Sequence, residues 1–283
     1  MTVFDTASLD LDAYLSRIGY HGRPAPQLDT LREIASRHPS AIPFENLNPL
    51  LGRPVPLDMT ALQQKLLRDG RGGWCFEHNV LLGTALRAIG FDVTGLAARV
   101  MWNMPAGVTL PRSHMVLYVD VAGTPFIVDA GFGGLTLTAP LRLEAGIEQQ
   151  TPHETFRLSP AGDYFVVDAR VRDEWKALYR FDLQRQAIAD YEVTSWYLST
   201  HPKSHFRTTL VAARVDGDRR YALRNTDFAI HHADGYTERR ALASPRELRD
   251  TLAELFAVNV PAEPEVDAVF TRIVEGAVAP VAT

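Results

Sequence analysis

Cys75 is the only cysteine of the chain, and it sits in Arg71-Gly72-Gly73-Trp74-Cys75-Phe76-Glu77-His78-Asn79, directly after two glycines and a tryptophan. Paired glycines let the backbone turn sharply. A helical pattern follows, with Leu81, Leu82, Ala85 and Ile89 on one face and Gly90 as its stop. A cysteine at such a start faces the positive end of the helix dipole, which favours the nucleophilic thiolate. An ordinary thiol, with a pKa near ~8.5, is mostly protonated at neutral pH, so a base must be found for it. Residues 113–120 and 125–129 supply one, as two strand-like runs around a turn near Ala122-Gly123. With Ala122 and Gly123 as the turn residues, Val121 faces Thr124 and Asp129 lies diagonally across from His114 on one sheet face. A turn shifted back by one residue sets the two directly opposite, and a three-residue loop would separate them to opposite faces. Either two-residue register gives a nucleophile, base and orienter: Cys75 attacks, His114 takes the thiol proton, and Asp129 holds and stabilises the imidazolium. Taken singly, a lone cysteine is more often a small buried hydrophobe, and His114 or Asp129 an ordinary strand or turn residue. The joint arrangement is harder to dismiss.

Three residues so far apart need elements to bring them together. Leu11, Leu15 and Ile18 recur at helical spacing before Gly19, and Thr30 with Glu33 reads as a capping box for a helix that Pro39 closes. Thr60 with Gln63 is a weaker box ahead of Leu62 and Leu66, with Gly70 as the stop. The first ninety residues therefore read as helical. Beyond Gly90 come β-rich runs at 96–100, 115–119, 126–128, 156–158, 164–171 and 175–181, whose short turns predict an antiparallel sheet or barrel. After Pro202, strands are expected near 208–215 and 219–223. A helix follows with Ser244 as N-cap, Pro245 at N1, Glu247 at N3 and Leu248, Leu252, Leu255 and Phe256 as its face. The Pro- and Ala-rich tail from about Pro261 is expected to fray at its end.

With 283 residues, 46% apolar and 22% charged, the chain has the balance of a soluble globular protein and enough length for a sizeable core. A net charge of −5 argues against general nucleic-acid binding. One cysteine excludes a disulfide framework and a multi-cysteine zinc site. Histidine metal sites are unfavoured as well, because Pro202 interrupts the His201/His205 spacing and the adjacent His231 and His232 point to opposite faces of a strand. No metal is expected. Neither a leader peptide nor a run of ~18 apolar residues is found, so no membrane association and a cytoplasmic location are expected.

The segment 71–79 resembles the nucleophile motif of the arylamine N-acetyltransferase family. Ile42-Pro43-Phe44-Glu45-Asn46-Leu47 resembles that family's upstream motif, and Val128-Asp129-Ala130-Gly131-Phe132-Gly133 its aspartate motif, with Ser113-His114 between them in the expected order. Residues 14–19 and 199–206 are similar to further family segments, so the resemblance runs from about residue 14 to 210 and is looser beyond Phe206. It implies an α+β fold with a papain/transglutaminase-like catalytic core: an N-terminal helical bundle (1–90), a central antiparallel β-barrel (91–210) and a C-terminal α/β lid (211–283). It also implies a Cys75–His114–Asp129 triad, a structural ion pair between Arg17 and Glu45, and an acceptor pocket lined by Phe44, Phe132 and Phe206. The expected reaction is ping-pong transfer of an acetyl group from acetyl-CoA, through Cys75, to an aromatic amine or hydrazine. Gly131 and Gly133 would allow the backbone to approach CoA, and Arg219, Arg220 or Arg239 would meet its nucleotide. The alternatives are a cysteine hydrolase or transglutaminase-like enzyme with the same triad, or a catalytically silent binding module. The oligomeric state is left open.

Overall fold

The structure is a computed structural model that describes residues 3–105 and 107–276. Its elements follow an α+β order: helices, then a long antiparallel sheet, then a smaller sheet with helices against it. The helix α1 (Leu11–Arg17) is capped by Asp10, which accepts the Ala13 N–H. In α2 (Leu28–Ala41) the expected capping box is absent: the helix begins at Leu28, Thr30 is buried in its first turn, and Glu33 pairs with Arg37. Pro39 does not close α2 but lies inside its last turn, where the bond to the Ala35 oxygen is lost while Ile42 still donates to the His38 oxygen at 2.8 Å. After the two-residue β1 (Phe44–Glu45) and the short α3 (Leu47–Leu50) comes α4 (Met59–Leu62), which runs on as a π-helical stretch over Gln63–Arg68. Its cap is Asp58, not Thr60. Gln63 instead accepts the Asp10 N–H and donates to the Ser8 oxygen, tying α4 to α1.

The helix α5 (Cys75–Ile89) is buried along its whole length from Cys75 to Leu86 and ends at Gly90 in the left-handed conformation. A helix buried on every side belongs in the middle of a core, and its polar side chains Glu77, His78, Asn79 and Thr84 are each hydrogen-bonded there. α2 covers one side with Leu31 and Ile34, and the sheet covers another with Met115, Leu117 and Val119.

The eight-stranded sheet comprises β2 (Asp92–Val100), β3 (His114–Val121), β4 (Thr124–Val128), β5 (Leu141–Arg142), β6 (Glu148–Gln150), β7 (Thr155–Ala161), β8 (Tyr164–Val171) and β9 (Glu174–Arg185). All pairings are antiparallel, in the order β5-β4-β3-β2-β9-β8-β7-β6. The sheet curls until its edges meet. There the Gln149 side-chain amide of β6 takes the Arg142 N–H of β5 and donates to its carbonyl, at 2.7 and 2.9 Å. Strand periodicity then sorts the side chains: in β3, Met115, Leu117 and Val119 face α5, whereas Val116 enters the barrel with Leu96, Ile127, Phe156, Val167 and Phe181.

Next come α6 (Ile188–Thr200), β10 (Val211–Asp216), β11 (Arg219–Arg224), β12 (Asp227–His232), β13 (Thr237–Ala241) and α7 (Pro245–Glu254), with the Ser244 hydroxyl capping α7 through the Glu247 N–H. The tail beyond Pro261 is not simply frayed. It forms α8 (Pro264–Val274), whose Val266 and Phe270 pack with Leu248, Leu252 and Phe256; the fraying expected at its end falls at 277–283, outside the described residues. The second sheet runs β1-β10-β11-β12-β13, so Phe44 and Glu45 pair with Ala213 and Ala212 across the chain. Asn46 reinforces the junction, donating to the Phe206 and Thr209 oxygens and accepting the Val211 N–H. Among the described residues no helix is long and apolar enough to cross a membrane.

Candidate active site

Cys75 is the first residue of α5, so its amide is one of the four N–H groups that a helix leaves without an internal partner. The turn before it is held from within the helix: Glu77 Oε2 accepts the Trp74 N–H at 3.0 Å. Gly72 has no room for a side chain, because a Cβ there would lie 2.1 Å from the Pro43 oxygen. Close packing therefore demands glycine at this position of the nucleophile motif.

The hairpin adopts the first of the two registers anticipated. Val121 pairs with Thr124 and Leu117 with Val128, while Ala122 (φ +50°) and Gly123 (φ +83°) form a left-handed two-residue turn. Asp129 comes just past the end of the ladder, and its Oδ2 lies 2.6 Å from His114 Nε2. Both side chains are buried, at 0% and 3% exposure. With Nε2 committed to the carboxylate, Nδ1 is the ring nitrogen left over, and Cys75 is close enough to favour the charged imidazole. The sulfur lies 3.8 Å from the Ser113 carbonyl oxygen, one residue before His114. Gly131 permits this approach: a Cβ at that position would stand 2.5 Å from the Cys75 Cα.

Electrostatics follow from that geometry. Burial opposes charge on His114, but the Asp129 carboxylate and the Cys75 sulfur outweigh it and raise the imidazole well above its ordinary value. Burial alone would raise the Asp129 pKa too. His114, the Asn79 amide and the Gly131 N–H instead hold it below the usual carboxylate value. Asn79 went unassigned in the sequence, although its place one turn after Cys75 puts it on the same helix face. It donates to Asp129 Oδ1 at 3.0 Å and to the Met115 oxygen at 2.7 Å, and it accepts the Ala130 N–H.

Aromatic side chains surround the trio. Phe132 meets His114 edge-on at 5.3 Å between centroids, and the buried Tyr179 packs against both rings. Phe44 and Phe206 lie 6.5 Å apart, Trp74 stands 5.3 Å from Phe206, and the space beside Gly133 is filled by the Phe44 ring.

The ion pair expected between Arg17 and Glu45 is not formed. Glu45 is claimed by Arg71, whose Nε and Nη2 reach Oε1 at 2.9 and 2.7 Å, while Arg17 donates to the Leu66 carbonyl oxygen. Arg71 is tethered to the same glycine turn and delivers its guanidinium with little entropy to lose, whereas Arg17 sits on a separate helix. Arg220 is 3% exposed and is bound to Glu154 and to the Thr136 oxygen, so it joins the barrel to the second sheet and is not a free cation for a nucleotide.

The chain is similar to known proteins along most of its length. An N-acetyltransferase family model matches residues 27–265. The arylamine N-acetyltransferase of Mycobacterium tuberculosis is 47% identical over 272 residues, covering 95% of this chain and 96% of the relative. The arylamine N-acetyltransferase / N-hydroxyarylamine O-acetyltransferase of Salmonella typhimurium is 41% identical, covering 88% and 89%. Among solved structures, Mycobacterium marinum arylamine N-acetyltransferase in complex with CoA superposes with a TM-score of 0.90 at 45% identity, covering 93% of this chain and 99% of that one. The chain belongs to the arylamine N-acetyltransferase family and is an acyltransferase.

Proposed function

We propose that the chain transfers an acetyl group from acetyl-CoA to the nitrogen of an arylamine or arylhydrazine in two half-reactions through Cys75. The observation that carries this reading is the Cys75 sulfur at a helix start, 3.8 Å from the carbonyl oxygen of Ser113, next to His114, whose Nε2 is fixed by a buried carboxylate. His114 holds the thiol proton, and Asp129 stabilises the resulting imidazolium. The Cys75 sulfur forms a bond to the thioester carbonyl carbon, and the bond from that carbon to the CoA sulfur breaks. His114 returns its proton to the departing sulfur. In the second half a neutral amine nitrogen attacks the acetyl carbon, the bond to Cys75 breaks, and His114 takes the N–H proton. The Cys75 N–H lies at the helix start where oxyanion charge develops.

Support for CoA as acyl carrier comes from the relative solved with it and from the site itself, which offers a nucleophile, a proton carrier and an open amide at one point. Gly131 and Gly133 are the backbone positions we assign to its approach, and Phe44, Phe132 and Phe206 the apolar walls for the acceptor ring. The test is intact-mass analysis after mixing with acetyl-CoA alone. One added acetyl group with one CoA released is expected, and neither in Cys75→Ala. Absence of both in the native protein overturns the reading, and steady acetate release without an acceptor points to a hydrolase.

A further inference from the structure

Three buried side chains under the turn that presents Cys75 take no part in this chemistry. Tyr14 of α1, His38 of α2 and His78 of α5 are each 0% exposed. The Tyr14 hydroxyl lies 2.9 Å from His38 Nδ1, His38 Nε2 lies 3.0 Å from His78 Nδ1, and His78 Nε2 lies 3.1 Å from the Pro43 oxygen and 3.0 Å from the Gly73 oxygen. Carbonyl oxygens only accept, so His78 Nε2 carries the hydrogen. Burial keeps both imidazoles neutral at physiological pH, so His78 Nδ1 is an acceptor. His38 must then donate from Nε2, and its Nδ1 accepts from the Tyr14 hydroxyl. Only this one direction satisfies every polar atom in the chain.

The chain ends at an informative place. The Gly73 carbonyl and the Trp74 N–H are two ends of one planar peptide group. His78 donates to the carbonyl, and Glu77 accepts the N–H. Consecutive residues of α5 thus clamp both ends of the peptide that leads into Cys75. The Pro43 oxygen, which receives the other His78 bond, also accepts the Gly73 N–H, and the Phe44 ring stacks parallel to His78. We propose that Tyr14, His38 and His78 are positioning residues, a one-way hydrogen-bond chain that sets the Gly73–Trp74 peptide so that the Cys75 sulfur and N–H meet the acyl group together. The inference rests on the acyl-transfer reading of Cys75.

The test compares Tyr14→Phe, His78→Leu and His78→Gln with the native protein by two readouts on samples shown to be folded. The first is single-turnover acetylation of Cys75 by acetyl-CoA; the second is alkylation of Cys75 by iodoacetamide, which needs the sulfur but no oxyanion donor. His78→Leu is expected to slow acetylation roughly tenfold at unchanged half-saturation, and Tyr14→Phe about threefold, since misaimed groups cost rate without binding. His78→Gln, which keeps a donor for the carbonyls, is expected to recover much of the loss, and alkylation should change little throughout. Native acetylation rates in folded Tyr14→Phe and His78→Leu overturn the inference, as does a parallel fall of both readouts in step with the folded fraction. Tyr14→Phe alone decides the matter if His78→Leu does not fold. A native protein that takes up no acetyl group overturns the acyl-transfer reading first, which separates the two failures.

Discussion

Two buried polar networks reach the same peptide from opposite sides, and they are made of different materials. On one side lie charges: Lys65 on Glu77 at 2.7 Å, and Arg71 on Glu45 with a further bond to Asn48. On the other side is the neutral chain from Tyr14 to His78. The two acids illustrate what charge costs. Burial raises the pKa of both. Lys65, Arg71 and the Leu47 N–H reverse that for Glu45, while Glu77, pushed further by the charge on Glu45, stays above its ordinary value. A charged network must be complete to be tolerated, because a deletion leaves a bare ion in the interior. A neutral chain loses only a bond, yet its fixed donor–acceptor order gives it a direction.

The sharpest way to break the symmetry is Arg71→Leu, which strands Glu45 at 1% exposure. A loss of about 3–5 kcal/mol in denaturant unfolding is expected, and a loss like that of a single neutral bond would erase the distinction. Acid offers the next test. The folded pKa of His78 is about 4 and that of His38 is well below 6.5, so the unfolded chain takes up protons first. Their contribution is therefore full above 6.5 and is lost as the pH falls towards 4, by an amount on the order of 3 kcal/mol for His78. Glu45, with its folded pKa below 4.5, holds its contribution through most of that window, and His114, whose pKa is raised, is already protonated there. Unfolding free energies followed from neutral pH down to 4 should decline, and the decline should flatten in His78→Leu. An equal slope in the two proteins would count against a buried neutral His78. Smallest is Tyr14→Phe, expected to cost about 1 kcal/mol by thermal or urea unfolding, the worth of one neutral hydrogen bond.

What could be read beforehand was what neighbours in sequence decide. The Ser244-Pro245 helix start, the Gly90 stop and the hairpin turn at Ala122-Gly123 depend on a few adjacent residues, and each formed as expected. The hairpin register set Asp129 beside His114, and the family resemblance tied Cys75 to that pair, which no local rule could have done. α6 escaped notice because its inner face is polar in part, with Ser195 and Ser199 buried alongside Tyr191 and Leu198, while Val193, Trp196 and Tyr197 lie exposed. No apolar stripe marks such a helix. The Arg17–Glu45 pair, which the family resemblance implied, is replaced by Arg71–Glu45, because Arg71 is tethered beside the turn. His78 was visible within its motif, but nothing in the sequence signals a partner forty residues upstream.

The short strand Phe44–Glu45 has a consequence for how the molecule comes into being. Its partner strand Val211–Asp216 is synthesised roughly one hundred and sixty residues later, so the edge it will fill is absent while the helices and barrel are made. Leu47 and Leu50, which belong to the last core, wait uncovered through the same interval. Closing so long a loop is entropically late, and the nucleophile turn that leans on Pro43 and Glu45 reaches its final shape only when the last sheet arrives. Refolding should therefore regain helical signal before it regains a reactive Cys75.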